Sequence, residues 1–314
     1  ALPPTAVRIR LTHHPYTADV RRRFAFLHVP KTAGSSVSAA IRGAIAAAEP
    51  PLDVCPFGLD TALFGSFDRV ELIPPERGVF TGVPDELSGF DVILGHFALP
   101  SLVSERSPGD VAALFREPRA RLLSLYTFWR SWPEERHAEW EPYDGSRRAT
   151  ELNWVDFLAD ERIAAQTDNA AARLLLGAHP GVPPDRFITD VEAVTADALA
   201  VLDTIGHADV IERGAACWDD LAVWLDASLD VGRRNPTSDT SSFDPREYTA
   251  PGARGLLADR TSIDAALWRA AAARWGVSSA QAAALADDTA AQRSGGRPHA
   301  AESARASGQS LIHI

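Results

Sequence analysis

Apolar positions along the chain fall into short runs separated by helical stripes. Residues 23–29, RFAFLHV, form a dense apolar run that stops at Pro30, and a run of that length ended by proline predicts a buried strand. A small-residue segment, KTAGSS, follows and leads into SVSAAIRGAIAAA, a strong helix former. Two further runs, DVILGHF (91–97) and DVAALFR (110–116), read as strands. Pro118 suits a first helical turn, and the helix after it carries Leu122, Leu125, Tyr126 and Trp129 at helical spacing. Residues 50–90 show no long period and predict irregular chain with short elements. Residues 133–150 are polar and predict a loop or flap with a solvated face that includes His137.

Farther on, NWVDFLAD, DNAAARLLLG, the stretch near 194–204, CWDDLAVWLDASL and SIDAALWRAAAARWG read as helices. RFITD (186–190) and the segment around ADVIER read as short strands, and 232–248 as a turn-rich loop. Strands alternating with helices predict an α/β fold with a largely parallel sheet. The organisation expected is an N-terminal arm (1–22), one domain (23–290) and a flexible C-terminal tail (291–314).

Charge and composition narrow the function. The net charge of −11 over 314 residues argues against nucleic acid or an anionic membrane as the main partner. No apolar run approaches the roughly 18 residues needed to span a bilayer, and Cys55 and Cys217 make neither a disulfide framework nor a zinc site. The expectation is a cytoplasmic protein. His13 and His14 have no carboxylate or cysteine neighbours, and no cluster calls for a metal. The chain has no methionine, and Lys31 is its only lysine against thirty arginines.

Two segments carry chemistry. HVPKTAGSS places small residues, hydroxyls and a cation between a strand and a helix N-terminus, which is what a bound anion requires. Its lysine precedes the glycine, unlike the nucleotide loop G-x-x-x-x-G-K-[ST], and this weighs against an ATP-using kinase. The bland alternative is an ordinary strand-to-helix turn. LFREPRARLLSLY puts Arg116 at a strand's C-terminal end and Ser124 about two turns into the next helix, off the apolar stripe. Arginine there suits a phosphate grip, although the plain reading is that Arg116 pairs with Glu117 or another surface carboxylate and that Ser124 is merely exposed. His96, in VILGHF, ends a strand and is a candidate general base.

FLHVPKTAGSS resembles the 5′-phosphosulfate loop of the carbohydrate-type sulfotransferases, a group that includes heparan 2-O-sulfotransferase-like enzymes and many bacterial relatives. REPRARLLSLY is similar to that family's 3′-phosphate motif. The resemblance implies a three-layer P-loop-like fold and a cosubstrate, 3′-phosphoadenosine-5′-phosphosulfate (PAPS), with PAP as product and no metal. It implies that Lys31, Thr32, Ala33, Gly34, Ser35 and Ser36 hold the phosphosulfate, that Lys31 assists the leaving group, and that Arg116 and Ser124 bind the 3′-phosphate. It also implies His96 as base toward a hydroxyl of a glycan or small molecule. Weaker likenesses continue in DNAAARLLLG, in IGHADVIERGAACWDDL and in the Asn235–Pro236–Thr237 loop. Two alternatives remain: a non-catalytic PAP- or nucleotide-binding protein of the same fold, and a kinase-like ATP phosphotransferase.

Overall fold

The computed structural model describes residues 23–46, 48–64, 73, 77–83, 85–139, 145–232 and 245–293. The N-terminal arm, His13 and His14, the Asn235–Pro236–Thr237 loop and the tail beyond Arg293 lie outside the described residues.

The first apolar run forms β1 (Phe24–Leu27), and the Ala-rich stretch forms α1 (Gly34–Ile45). The 50–90 region supplies β2 (Phe57–Asp60), α2 (Thr61–Phe64) and β3 (Arg77–Phe80). Next come β4 (Val92–His96), α3 (Leu99–Val103), β5 (Val111–Phe115) and α4 (Pro118–Arg130). Then follow α5 (Glu134–Glu139), α6 (Gly145–Glu151), α7 (Trp154–Ala159), α8 (Ala164–Thr167), α9 (Ala170–Leu176) and α10 (Val191–Leu202). The described chain closes with β6 (His207–Val210), α11 (Ala215–Leu225), α12 (Pro245–Tyr248), α13 (Ala253–Ala273) and α14 (Ser279–Arg293).

Six strands form one parallel sheet in the order β3-β2-β4-β1-β5-β6. Alternation along β1 divides the core. Ala25 and Leu27 face a cluster with Leu174, Val194, Ile263 and Leu267, whereas Phe24 and Phe26 face Val37 and Ile41 of α1 and Leu221 of α11. Helices therefore cover both faces, which is why the central strands are apolar runs without alternation. Tyr126, Trp129, Trp154 and Phe157 make a third cluster under α4. No helix among the described residues is long and apolar enough to cross a membrane.

The chain leaves β1 toward β2, returns to β4 beside β1 and then crosses to β5 on its other side. In an open parallel sheet, the crevice at such a reversal, outside the strands' C-terminal ends, is where ligands bind. Two glycines set the sheet spacing there: a Cβ on Gly95 would lie 2.4 Å from the Gly58 carbonyl oxygen, and one on Gly58 would lie 2.1 Å from the Phe97 ring.

The structure corrects two expectations. Residues 186–190 are not a strand: the Ile188 N–H donates to the buried Asp168 carboxylate (2.8 Å) instead of to a sheet neighbour. The polar 133–150 segment is not simply a flap, because it contains α5 and α6. His137 is buried rather than solvated, its Nδ1 3.0 Å from the Ser146 hydroxyl. That contact satisfies one ring nitrogen; Nε2 is buried and has no hydrogen-bond partner among the described residues.

The DNAAARLLLG helix is held by a buried polar network. Arg173 pairs with Asp168 at 2.6 Å, Arg260 approaches the same carboxylate at 3.4 Å, and Asp264 accepts the Ala171 and Ala172 N–H groups at the start of α9. The Asn169 side-chain oxygen accepts the Ile263 N–H within α13 (2.8 Å), and its backbone N–H donates to the Arg260 carbonyl (2.7 Å). Removing one partner of a buried pair strands the other charge. Arg173→Met is expected to lower unfolding stability by about 3 kcal/mol or more, read by denaturant titration.

Candidate functional site

Between β1 and α1 the chain makes a loop with unusual dihedrals. Lys31 (φ 71°) and Ala33 (φ 60°) are both left-handed, with Thr32 between them outside that region. Each non-glycine residue in that region costs roughly 1–2 kcal/mol, so the conformation must be held from outside. The Thr32 hydroxyl donates to the Val29 carbonyl (2.8 Å), the Ser36 and Val37 N–H groups donate to the Ala33 carbonyl (2.9 and 3.1 Å), and Arg116 donates to the Lys31 carbonyl (3.2 Å). Alternating handedness turns successive N–H groups into one concavity, an arrangement suited to anions.

The helix behind the loop is equally receptive. Ala33 is the N-cap of α1 and offers no side-chain acceptor, and the first turn carries no acidic residue. Serine, threonine, aspartate or asparagine is the usual choice there; alanine leaves the first N–H groups to other partners. Ser35 is exposed, while Thr32 and Ser36 are buried. Gly34 is required by contact, since a Cβ there would lie 1.8 Å from Cδ2 of His28.

The β1–β4 register pairs Leu27 with Gly95, so His28 and His96 emerge side by side. Their ring centroids are 4.4 Å apart and tilted by 30°. His96 Nδ1 lies 2.7 Å from the His28 carbonyl oxygen. A carbonyl only accepts, so Nδ1 carries the hydrogen and Nε2 keeps its lone pair. Phe57 meets both rings edge-on, at 5.4 and 5.1 Å, and Phe64 meets His96 at 5.9 Å. The Arg77 guanidinium stacks on Phe57 at 4.3 Å.

This enclosure keeps both imidazoles neutral. Burial pushes His96 down to about 4; its bond to the His28 carbonyl opposes the shift and the Arg77 charge adds to it. His28 lies well below its ordinary value, again through burial first and then through the charges of His96, Arg77 and Lys31. Its Nδ1 is buried and has no hydrogen-bond partner among the described residues.

The second motif comes to the same crevice. Arg116 follows β5 directly and is largely buried. Glu117 does not fill the plain role of its partner by default: its carboxylate caps α4 by accepting the Ala120 N–H (2.8 Å) and also binds Arg119 (2.6 Å). Glu212, beyond β6, accepts the Glu117 N–H (2.8 Å) and the Trp268 indole N–H (3.0 Å) and so fixes the start of α4. Burial raises the Glu212 pKa, and those bonds and the Arg116 charge oppose the rise. Ser124 is buried, not exposed, and lies one helical turn before Phe128 on the same face of α4. The Lys31 ammonium sits 3.5 Å from the Phe128 ring centroid. Tyr126 and Trp129 belong to the core under α4.

Loop, histidine pair, Arg116 and the Ser124 face of α4 thus converge at the C-terminal ends of β1, β4 and β5. Comparison with protein-family models, with curated proteins and with solved structures finds no match for this chain. The reading of the site rests on its own geometry. Among the described residues, no group of His, Cys, Asp or Glu is arranged to hold a metal ion. Sequence reasoning missed Phe57, Arg77, Phe128 and Glu212; only Phe128, four residues after Ser124, left a signal in spacing.

Because the His28 ring occupies the space a Gly34 side chain would need, Gly34→Ala is expected to displace it. The variant should lose about 1–3 kcal/mol of stability and shift the imidazole resonances of both His28 and His96 in NMR spectra.

Proposed function

We propose that this chain is a sulfotransferase that moves a sulfuryl group from PAPS to a hydroxyl of a carbohydrate or small-molecule acceptor. The observation that carries the reading is the convergence of an uncapped helix N-terminus, a lysine and an arginine on one crevice, beside a histidine whose Nε2 holds a lone pair. A parallel sheet with β1 at its centre, followed by an anion loop and a helix, supports a three-layer P-loop-like fold. The residues present suit the donor. The N–H groups of Gly34 and Ser35 at the start of α1 have no capping side chain from Ala33 to compete for them.

In this mechanism Lys31, the loop amides, that of Thr32 among them, and the hydroxyls of Ser35 and Ser36 hold the phosphosulfate, the Thr32 hydroxyl keeps the loop in shape through the Val29 carbonyl, and Arg116 and Ser124 hold the 3′-phosphate. His96 Nε2 accepts the acceptor's hydroxyl proton. The acceptor oxygen bonds to sulfur as the bond from sulfur to the bridging phosphate oxygen breaks, and the electron pair of that bond stays on the phosphate. The Lys31 ammonium meets the charge that develops there. The products are a sulfate ester, PAP and a proton on His96, which then passes to solvent. The chain's contribution is alignment together with charges fixed in advance.

The first test is thermal stability with and without PAP. At 100 times Kd, binding adds about 2.7 kcal/mol. The upshift is expected with PAP, absent with ADP, and lost in Lys31→Ala and Arg116→Ala. Absence of any shift would overturn the reading, and binding without turnover would leave a non-catalytic PAP-binding protein. A second test uses pH. Protonation of His96 removes its lone pair, so activity falls as pH falls through its pKa. The acid limb of kcat/KM, which reports the free enzyme, is expected near pH 4. The limb of kcat should lie higher, because bound anions favour imidazolium. His96→Ala is expected to abolish both limbs and lower kcat by about 100-fold or more.

A further inference from the structure

Lys31 is the one lysine of the chain, and both ends of it are held. Its carbonyl receives the Arg116 guanidinium, and its ammonium lies on the face of Phe128, 3.5 Å from the ring centroid. Phe128 is braced in turn. Trp132 meets it edge-on at 5.5 Å and 80°, and His137 lies 5.7 Å from Trp132 with its Nδ1 on the Ser146 hydroxyl. The burial of His137 and Ser146 within an otherwise polar segment is accounted for by this chain of contacts.

We propose that Phe128 is the positioning residue for Lys31, an assignment that rests on the sulfuryl-transfer reading of that lysine. The chemistry favours a ring over a carboxylate. An aromatic face attracts a cation through its quadrupole. The ring itself neither cancels the cation's charge nor takes up its N–H groups with a lone pair. A carboxylate in the same place would hold the amine as firmly, but it would neutralise it and repel the donor. The flexible four-carbon stem of lysine otherwise lets its ammonium sweep a wide arc. The ring confines it to the side of the loop where α4 presents Ser124. Phe128 acts through Lys31 and makes no contact of its own with the reacting atoms.

Having one lysine makes the test direct. Reductive methylation with ¹³C-formaldehyde labels Lys31 while keeping its positive charge. The labelled α-amino group is told apart by its titration near about pH 8. In the wild type the dimethyl-lysine resonance is expected upfield, within the ring current of Phe128. It should return to the free-lysine position in Phe128→Leu and stay displaced in Phe128→Trp. On the unmodified chain, Phe128→Leu is expected to lower kcat about tenfold and to change PAP affinity by less than about twofold, with Phe128→Trp keeping near wild-type kcat. A purely structural role would lower melting temperature and PAP affinity together. A wild-type resonance at the free-lysine position, or wild-type kcat in Phe128→Leu, would overturn the proposal. A wild type that neither binds PAP nor transfers sulfate would instead overturn the transferase reading, and the resonance would still report whether the ring holds the amine.

Discussion

Burial of β1 on both faces and along both edges governs the rest of the structure. All four of its residues are inaccessible to solvent, with β4 on one side and β5 on the other. A strand so enclosed has no freedom in its register, because a shift by one residue would exchange the side chains of its two faces. The fixed register delivers His28 beside His96, and the loop leaving β1 beside Arg116, which itself ends β5. The glycine contacts between β2 and β4 serve the same end by letting the strands approach without a side chain between them. The position of every candidate catalytic atom follows from packing several residues upstream.

Charge is arranged against the average of the molecule. The chain carries a net −11, yet its crevice gathers Lys31, Arg77 and Arg116, and its two histidines are kept neutral. Neutrality follows from desolvation and from the neighbouring cations, both of which disfavour imidazolium. Two carboxylates beside the crevice are bound into the scaffold: Glu117 caps α4 and binds Arg119, and Glu212 binds the Glu117 N–H and the Trp268 indole.

Elements whose burial is written in the local pattern were legible in the sequence. The runs at 23–29, 91–97 and 110–116 became strands, and the stripe of Leu122, Leu125, Tyr126 and Trp129 became the buried side of α4. Strand order was not legible, because periodicity says nothing about which strands pair. RFITD misled for a related reason: its composition suits a strand, but the Asp168 carboxylate claims its backbone donor. His137 and Ser146 could not be read as buried from a charged neighbourhood, since their partners are each other and Trp132. In the site, residue types and spacing pointed to Lys31, His96 and Arg116. The tautomer of His96 and the ring beneath Lys31 depend on contacts between distant segments, which a linear reading does not contain.

The alanine that begins α1 has a consequence for the protein as a material. A helix whose first turn lacks a capping side chain is an unfinished element, short by about 1 kcal/mol of the stability that serine or aspartate would contribute. On the proposed function, an anion settling into the loop would supply the missing acceptors and complete it. Recognition and folding would then draw on the same N–H groups, and the ligand would be the last structural part of the helix that binds it.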